Sequence, residues 1–166
     1  MAILPILKFP DPRLRIKAAP IERIDGELLR IVDDMYETQY ANNGVGLAGT
    51  QVDIHRQIFT MDVSSDRDQK ICVLNPEIIH REDEQFESEG CLSVGGNAYD
   101  KVKRAAKVIL KGMNLQGEIF ELAAEGLMAV CIQHEVDHLN GILFIDHLSR
   151  LKQERIRHKI DKHLRD

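Results

Sequence analysis

The chain has 166 residues, 43% hydrophobic and 30% charged, with a formal charge of −5 at pH 7. That length fits one domain, residues 1–166, with room for a proper core, and the ordinary composition excludes a low-complexity or fibrous chain. The negative charge excludes wholesale nucleic-acid binding, and no apolar run nears the roughly 20 residues a membrane helix needs, so no membrane role is expected.

The apolar start, residues 1–9, lacks a basic n-region and is interrupted by Pro5, Pro10 and Pro12, so it reads as an ordered arm and not a signal peptide. Asp25 is a candidate N-cap for a helix reaching about Ala41, with Leu28, Leu29, Ile31, Val32, Met35 and Tyr36 as its apolar stripe. Asn42, Asn43 and Gly44 stop it. A glycine-rich turn follows, then a strand at 57–63 holding Ile58, Phe59 and Met61. A polar loop, 64–70, precedes a short strand at 71–74 closed by Asn75-Pro76.

Further strands are expected at 78–79, in the segment ending at 91–94 and at 107–113, with 118–122 pairing back across a turn at 114–117. Near Ala124 the period becomes helical: Leu127, Val130, Cys131, His134 and His138 fall three or four apart, and Asn140-Gly141 ends the helix. A last helix covers about 149–164. Strands and helices are segregated, not alternating. This predicts an α+β fold of short antiparallel sheets around a central metal-binding helix, with an N-terminal and a C-terminal helix.

The central helix contains His134-Glu135-Val136-Asp137-His138, an H-E-x-x-H pattern. At about 100° per residue the two histidines sit roughly 40° apart on one face, one turn separated, so both imidazoles can meet one ion. Glu135 lies beside that face, placed to work on a water without being a ligand, and Asp137 is a candidate partner for an imidazole N–H. Chance alone gives the pattern in roughly 2 of 100 shuffled chains, and a solvated helix with two incidental histidines is the bland alternative. The apolar run from Leu127 to Ile132 weighs against it, because buried histidines without a metal or partner are costly.

The third ligand decides the class. A metzincin continuation has Gly141 in place, but its next histidine falls on Phe144; the only later glutamate, Glu154, lies in a basic tail. Three cysteines, at 72, 91 and 131, show no disulfide framework, which fits a reduced, cytoplasmic protein. Cys131 is seven residues from His138, about 10 Å along the axis, too far for metal bonds of about 2.0–2.3 Å to gather. Cys131 and Cys72 read as buried core, leaving Cys91 in Glu89-Gly90-Cys91-Leu92-Ser93.

Gly44-Val45-Gly46-Leu47-Ala48-Gly49 matches G-x-G-x-x-G, but a helix precedes it and a strand follows, the reverse of a dinucleotide site. The glycines point instead to backbone passing close to a ligand, with Gln51 offering an amide donor. Taken together, the segments 44–51, 89–93 and 133–138 resemble the three motifs of peptide deformylases in order and spacing, and Pro10-Asp11-Pro12-Arg13-Leu14 resembles that family's N-terminal arm.

The resemblance covers essentially the whole chain and implies removal of formate from N-formylmethionyl peptides. It implies one divalent metal on Cys91, His134 and His138, Fe2+ in cells with Zn2+ or Ni2+ accepted, whereas ligand types alone suggest zinc. The metal would lower the pKa of a water and polarise the formyl oxygen, with Glu135 moving the proton. The resemblance also implies oxyanion donors at the Gln51 amide and the Leu92 backbone N–H. Leu127, Val130 and Cys131, with Val45 opposite, either wall a methionine pocket or are plain helix packing. Gly46 offers backbone hydrogen bonds to the peptide.

Two departures stand out. Gly49 replaces the family's second alanine, which should only loosen the turn. Where the family has a proline and then an arginine gripping the peptide, this chain reads Val94-Gly95-Gly96-Asn97-Ala98-Tyr99, predicting weaker or differently shaped binding past the first residue. Arg104 matches a later, structural arginine. The tail, 149–165, carries Arg150, Lys152, Arg155, Arg157, Lys159, Lys162 and Arg165; it is either a solvated face or a docking helix for an acidic or RNA surface such as the ribosome. The expected state is a monomer. Rival readings are another Cys/His2 metallopeptidase or amidase, and a non-catalytic metal- or peptide-binding module, which would need neither Glu135 nor Gln51.

Overall fold

The structure, a computed structural model, describes residues 2–95 and 98–165. Gly96 and Asn97, at the centre of the departure read after Val94, lie outside the described residues, as do Met1 of the arm and Asp166 of the tail.

Helix α1 spans Gly26–Ala41. Asp25 caps it, its carboxylate accepting from Leu28 N at 2.9 Å. Leu28, Val32, Met35 and Tyr36 are buried, whereas Leu29 is 44% exposed and leaves the expected stripe. The helix ends where Asn43 adopts a left-handed φ of 55°.

The antiparallel strands join into one five-stranded sheet in the order β1-β2-β3-β4-β5. They are β1 Gly46–Ala48, β2 Ile58–Met61, β3 Ile71–Glu89, β4 Asp100–Met113 and β5 Ile119–Glu125. Every residue of β2 is buried. Ile58 faces the cluster with α1's Leu28, Val32 and Met35, while Phe59 and Met61 face Ala129 and Ile132 of helix α2, Gly126–Leu139. The period of two along a strand thus feeds both covered faces. Beyond α2, a third cluster gathers Leu7, Phe9 and Leu14 of the arm with Val94, Phe144 and Ile156, the last from helix α3, Arg150–Arg165. Among the described residues, no helix is long and apolar enough to cross a membrane.

Several strand limits differ from the expected ones, and β4 begins at Asp100, seven residues before the expected 107. Asn75-Pro76 does not close β3. The ladder shifts register between Leu74 and Glu77 and then continues, Glu77 opposite Lys111. Asn75 is held in place by residues far away: its side chain accepts from Ile21 N at 2.7 Å and donates to Ile21 O at 3.0 Å. Its backbone N–H donates to Gln57 O at 2.9 Å. The dipeptide therefore makes a bulge, where proline costs little. The segment 91–94 is no strand: β3 ends at Glu89, and Val94 N–H donates to Cys91 O at 3.0 Å to form a turn. Finally, Ala124 and Glu125 still pair with Val108 and Lys107, so α2 begins at Gly126, two residues later than its periodicity suggests.

Candidate metal centre and cavity

The middle of α2 is buried all round. His134 and His138 project from one face, their ring centroids 4.8 Å apart, and His134 stacks on Phe144 at 6.3 Å. Phe144, where a metzincin would carry its third histidine, is thus a packing wall for the first. The third group arrives from the turn after β3. Cys91 Sγ lies 3.2 Å from His138 Nε2, which lies 3.2 Å from His134 Nε2.

These three are the group able to hold one metal ion among the described residues, their donor atoms lying within 4.8 Å of one another. A tetrahedral ion with bonds of about 2.0–2.3 Å sets its ligands about 3.3–3.6 Å apart, so the residues fit the group. Burial disfavours charge on His134, yet the Cys91 sulfur, with Glu89 and Glu135 nearby, raises its pKa well above the ordinary range. His138, lowered by burial and by His134, keeps a neutral ring.

Behind His134 stands a carboxylate that was not expected there. Glu89 Oε1 accepts from His134 Nδ1 at 3.0 Å, fixing the ring so that Nε2 faces Cys91 and His138. Asp137, expected in that role, turns the other way, to Arg104 Nη1 at 2.7 Å and His147 Nε2 at 2.8 Å. It stands about 60° from His134 on the side away from His138, where Arg104 and His147 engage it. Arg104 joins the two acids, donating from Nε and Nη2 to Glu89 at 2.8 and 2.9 Å. Burial would raise the pKa of Glu89, but the Arg104 and His134 hydrogen bonds outweigh it and bring it to about 2.

Glu135 presents the opposite case. It is 2% exposed and makes no hydrogen bond or ion pair among the described residues. Burial pushes its pKa up to about 7, partly countered by His134. It faces a cavity of about 550 Å³ that Cys91, His134 and Gln51 also line.

Gln51 lies in a single tight turn, Gly49–Val52, after β1. Its Oε1 accepts from Ala48 N at 2.9 Å, which points Nε2 toward Ser93 Oγ at 3.1 Å and Cys91 Sγ at 3.5 Å. The bond from Val94 N–H to Cys91 O fixes the plane of the Cys91–Leu92 peptide, and planarity then sets the direction of Leu92 N–H opposite that carbonyl. Val45, Gly46, Leu127, Val130 and Cys131 all line the cavity, Val130 and Cys131 buried and Leu127 56% exposed at its mouth. A Cβ on Gly46 would lie 2.8 Å from Cys131 Sγ and 3.0 Å from Glu135 Oε2, so backbone passes against the site only because no side chain is there.

Gly49 does the reverse of loosening its turn. A Cβ there would stand 2.6 Å from Ile54 O and 3.1 Å from Arg56 O, so the glycine lets the chain close on itself. Sequence reading missed Glu89 as an orienting carboxylate, although it stands two residues before Cys91 in the same motif. Lys8 was missed too, and its contact with the Leu92 carbonyl has no local signal.

The family model for polypeptide deformylase matches residues 3–154. The peptide deformylase of Chromobacterium violaceum is 51% identical over 162 residues, covering 98% of this chain and 96% of that protein. The crystal structure of a peptide deformylase from Legionella pneumophila superposes with a TM-score of 0.94 at 46% identity, covering 99% of this chain and 96% of the other. That of Ehrlichia chaffeensis peptide deformylase in complex with actinonin gives 0.94 at 34% identity, covering 100% of each chain.

Proposed function

As a member of the polypeptide deformylase family, the chain is a metal-dependent hydrolase that removes the formyl group from the N-terminal formylmethionine of newly synthesised polypeptides, releasing formate, and we propose that Cys91, His134 and His138 hold its ion while Glu135 carries the proton. The observation behind this assignment is the convergence of those three donor atoms beside a buried carboxylate with no partner among the described residues. Held by Cys91, His134 and His138, a divalent ion would supply Lewis acidity toward a water and the formyl oxygen.

Glu135, with its pKa near 7, is matched to take the proton of the attacking water and return it to the departing amine at neutral pH. Gln51 Nε2 and Leu92 N–H donate to the oxyanion, preorganised by the Ala48–Gln51 bond and the Cys91–Val94 turn. Val45, Leu127, Val130 and Cys131 wall the methionine pocket. Gly46, on the edge strand β1, offers its backbone to an extended peptide.

Fe2+ is the ion assigned to the cellular enzyme, with Zn2+ or Ni2+ accepted, since imidazole and thiolate donors suit all three. The same reading makes the chain a single catalytic unit, a cytoplasmic monomer, in keeping with its free cysteines. It also assigns ribosome contact to 149–165, where Arg155, Arg157, Lys159 and Lys162 are exposed while Ile156 and Ile160 are buried. The same reading makes peptide binding past the first residue weaker or differently shaped, since the gripping arginine is absent from the sequence there.

The direct test is metal analysis of anaerobically purified protein together with formate release from formyl-Met-Ala-Ser. One ion per chain and formate without internal peptide cleavage are expected. Internal cleavage, or metal-loaded protein that frees no formate, overturns the reading.

A further inference from the structure

The N-terminal arm ties together the two segments assigned as oxyanion donors. Leu7 N–H donates to Gln51 O at 2.7 Å, and Phe9 N–H donates to Ser93 O at 2.7 Å. Leu7 and Phe9 bury their side chains, so Lys8 between them, in an extended segment, points the other way. Its Nζ donates to Leu92 O at 2.5 Å. Among the described residues it is the one lysine or arginine lining the cavity.

The Leu92 carbonyl shares a peptide group with the Ser93 N–H, and that N–H meets Cys91 Sγ at 3.4 Å. A cation on the carbonyl polarises the whole amide and strengthens the N–H···S contact at its other end. An exposed lysine on a backbone carbonyl is ordinarily a surface contact with little effect. Here the carbonyl belongs to the amide that touches the assigned metal-binding sulfur. We propose that Lys8 is a positioning residue of the Cys91 turn, clamping the Leu92–Ser93 peptide so that Ser93 N–H stays on Cys91 Sγ. This rests on Cys91 holding the ion.

The test compares Lys8→Met and Lys8→Arg in the full-length, metal-loaded protein. Lys8→Met lowers kcat for formate release about tenfold with KM unchanged, and Lys8→Arg restores most of it. In the Co2+-substituted protein, Lys8→Met moves the sulfur-to-metal absorption band to longer wavelength, because the sulfur loses part of its hydrogen bond. The melting temperature stays as it was. An unmoved band with full kcat overturns the proposal, and so does a loss of kcat that merely follows a lower melting temperature. A shifted band in a protein that frees no formate from any peptide keeps the Lys8 inference and discards the deformylation reading.

Discussion

The two sides of α2 treat buried polar groups in opposite ways. Toward β4, Gln133, Glu89, Arg104 and Asp137 are matched: Gln133 accepts from Ala105 N at 3.0 Å and donates to Ala105 O at 2.9 Å, and Arg104 bridges Glu89 to Asp137. Toward the cavity, Glu135 is equally buried and has no such partner among the described residues. The consequence is a pair of glutamates near one histidine with pKa values of about 2 and about 7. A paired carboxylate stays ionised and orients a ring, whereas a desolvated one sits where it can exchange a proton at neutral pH.

The contrast can be broken from either side. Arg104→Met removes the cation but leaves Glu89 and Asp137 in place, their side chains 4% and 20% exposed. The expected loss is about 3–5 kcal/mol of stability, read by denaturant unfolding of the metal-loaded protein. A loss below about 1 kcal/mol would mean the network is not needed to hold the helix. On the cavity side, Gln51→Ala keeps the fold and lowers kcat about 100-fold, with metal content unchanged. Activity equal to the parent would remove Gln51 from the oxyanion site.

The smallest effect concerns a matched carboxylate outside the cavity. Asp62 accepts from Tyr40 Oη, Ser64 N and Oγ, and Gln69 N. Burial would raise its pKa, but these hydrogen bonds hold it below the ordinary 3.8. A depressed folded value contributes stability above 3.8 that is lost as pH falls through the lower folded one. Asp62→Asn should therefore melt lower than the parent at pH 7, with the gap closing below about pH 3.8. A gap that is constant with pH would deny Asp62 this role.

How much of this was legible in the sequence depended on how local its cause was. The separation of His134 and His138 follows from helical pitch, and the exclusion of Cys131 follows from its distance along the same helix, so both could be read directly. The α1 cap and its stop were equally local. Asn75-Pro76 was misread because the bulge depends on Ile21, which lies far away in the chain. Asp137 was expected to meet an imidazole because it flanks the histidine face of the helix. The carboxylate that meets His134 comes instead from the end of β3, a relation only the folded sheet creates. Gly49 looked like a weaker alanine because the Ile54 and Arg56 carbonyls beside it cannot be seen from composition.

In the proposed mechanism the unmatched carboxylate moves the proton while Cys91, His134 and His138 hold the ion. Glu135→Gln, purified anaerobically and assayed for metal content and formate release together, separates the two roles. One ion per chain, as in the parent, and a kcat lower by about a thousandfold are expected. Full activity with metal bound, or a variant that no longer retains the ion, would contradict it.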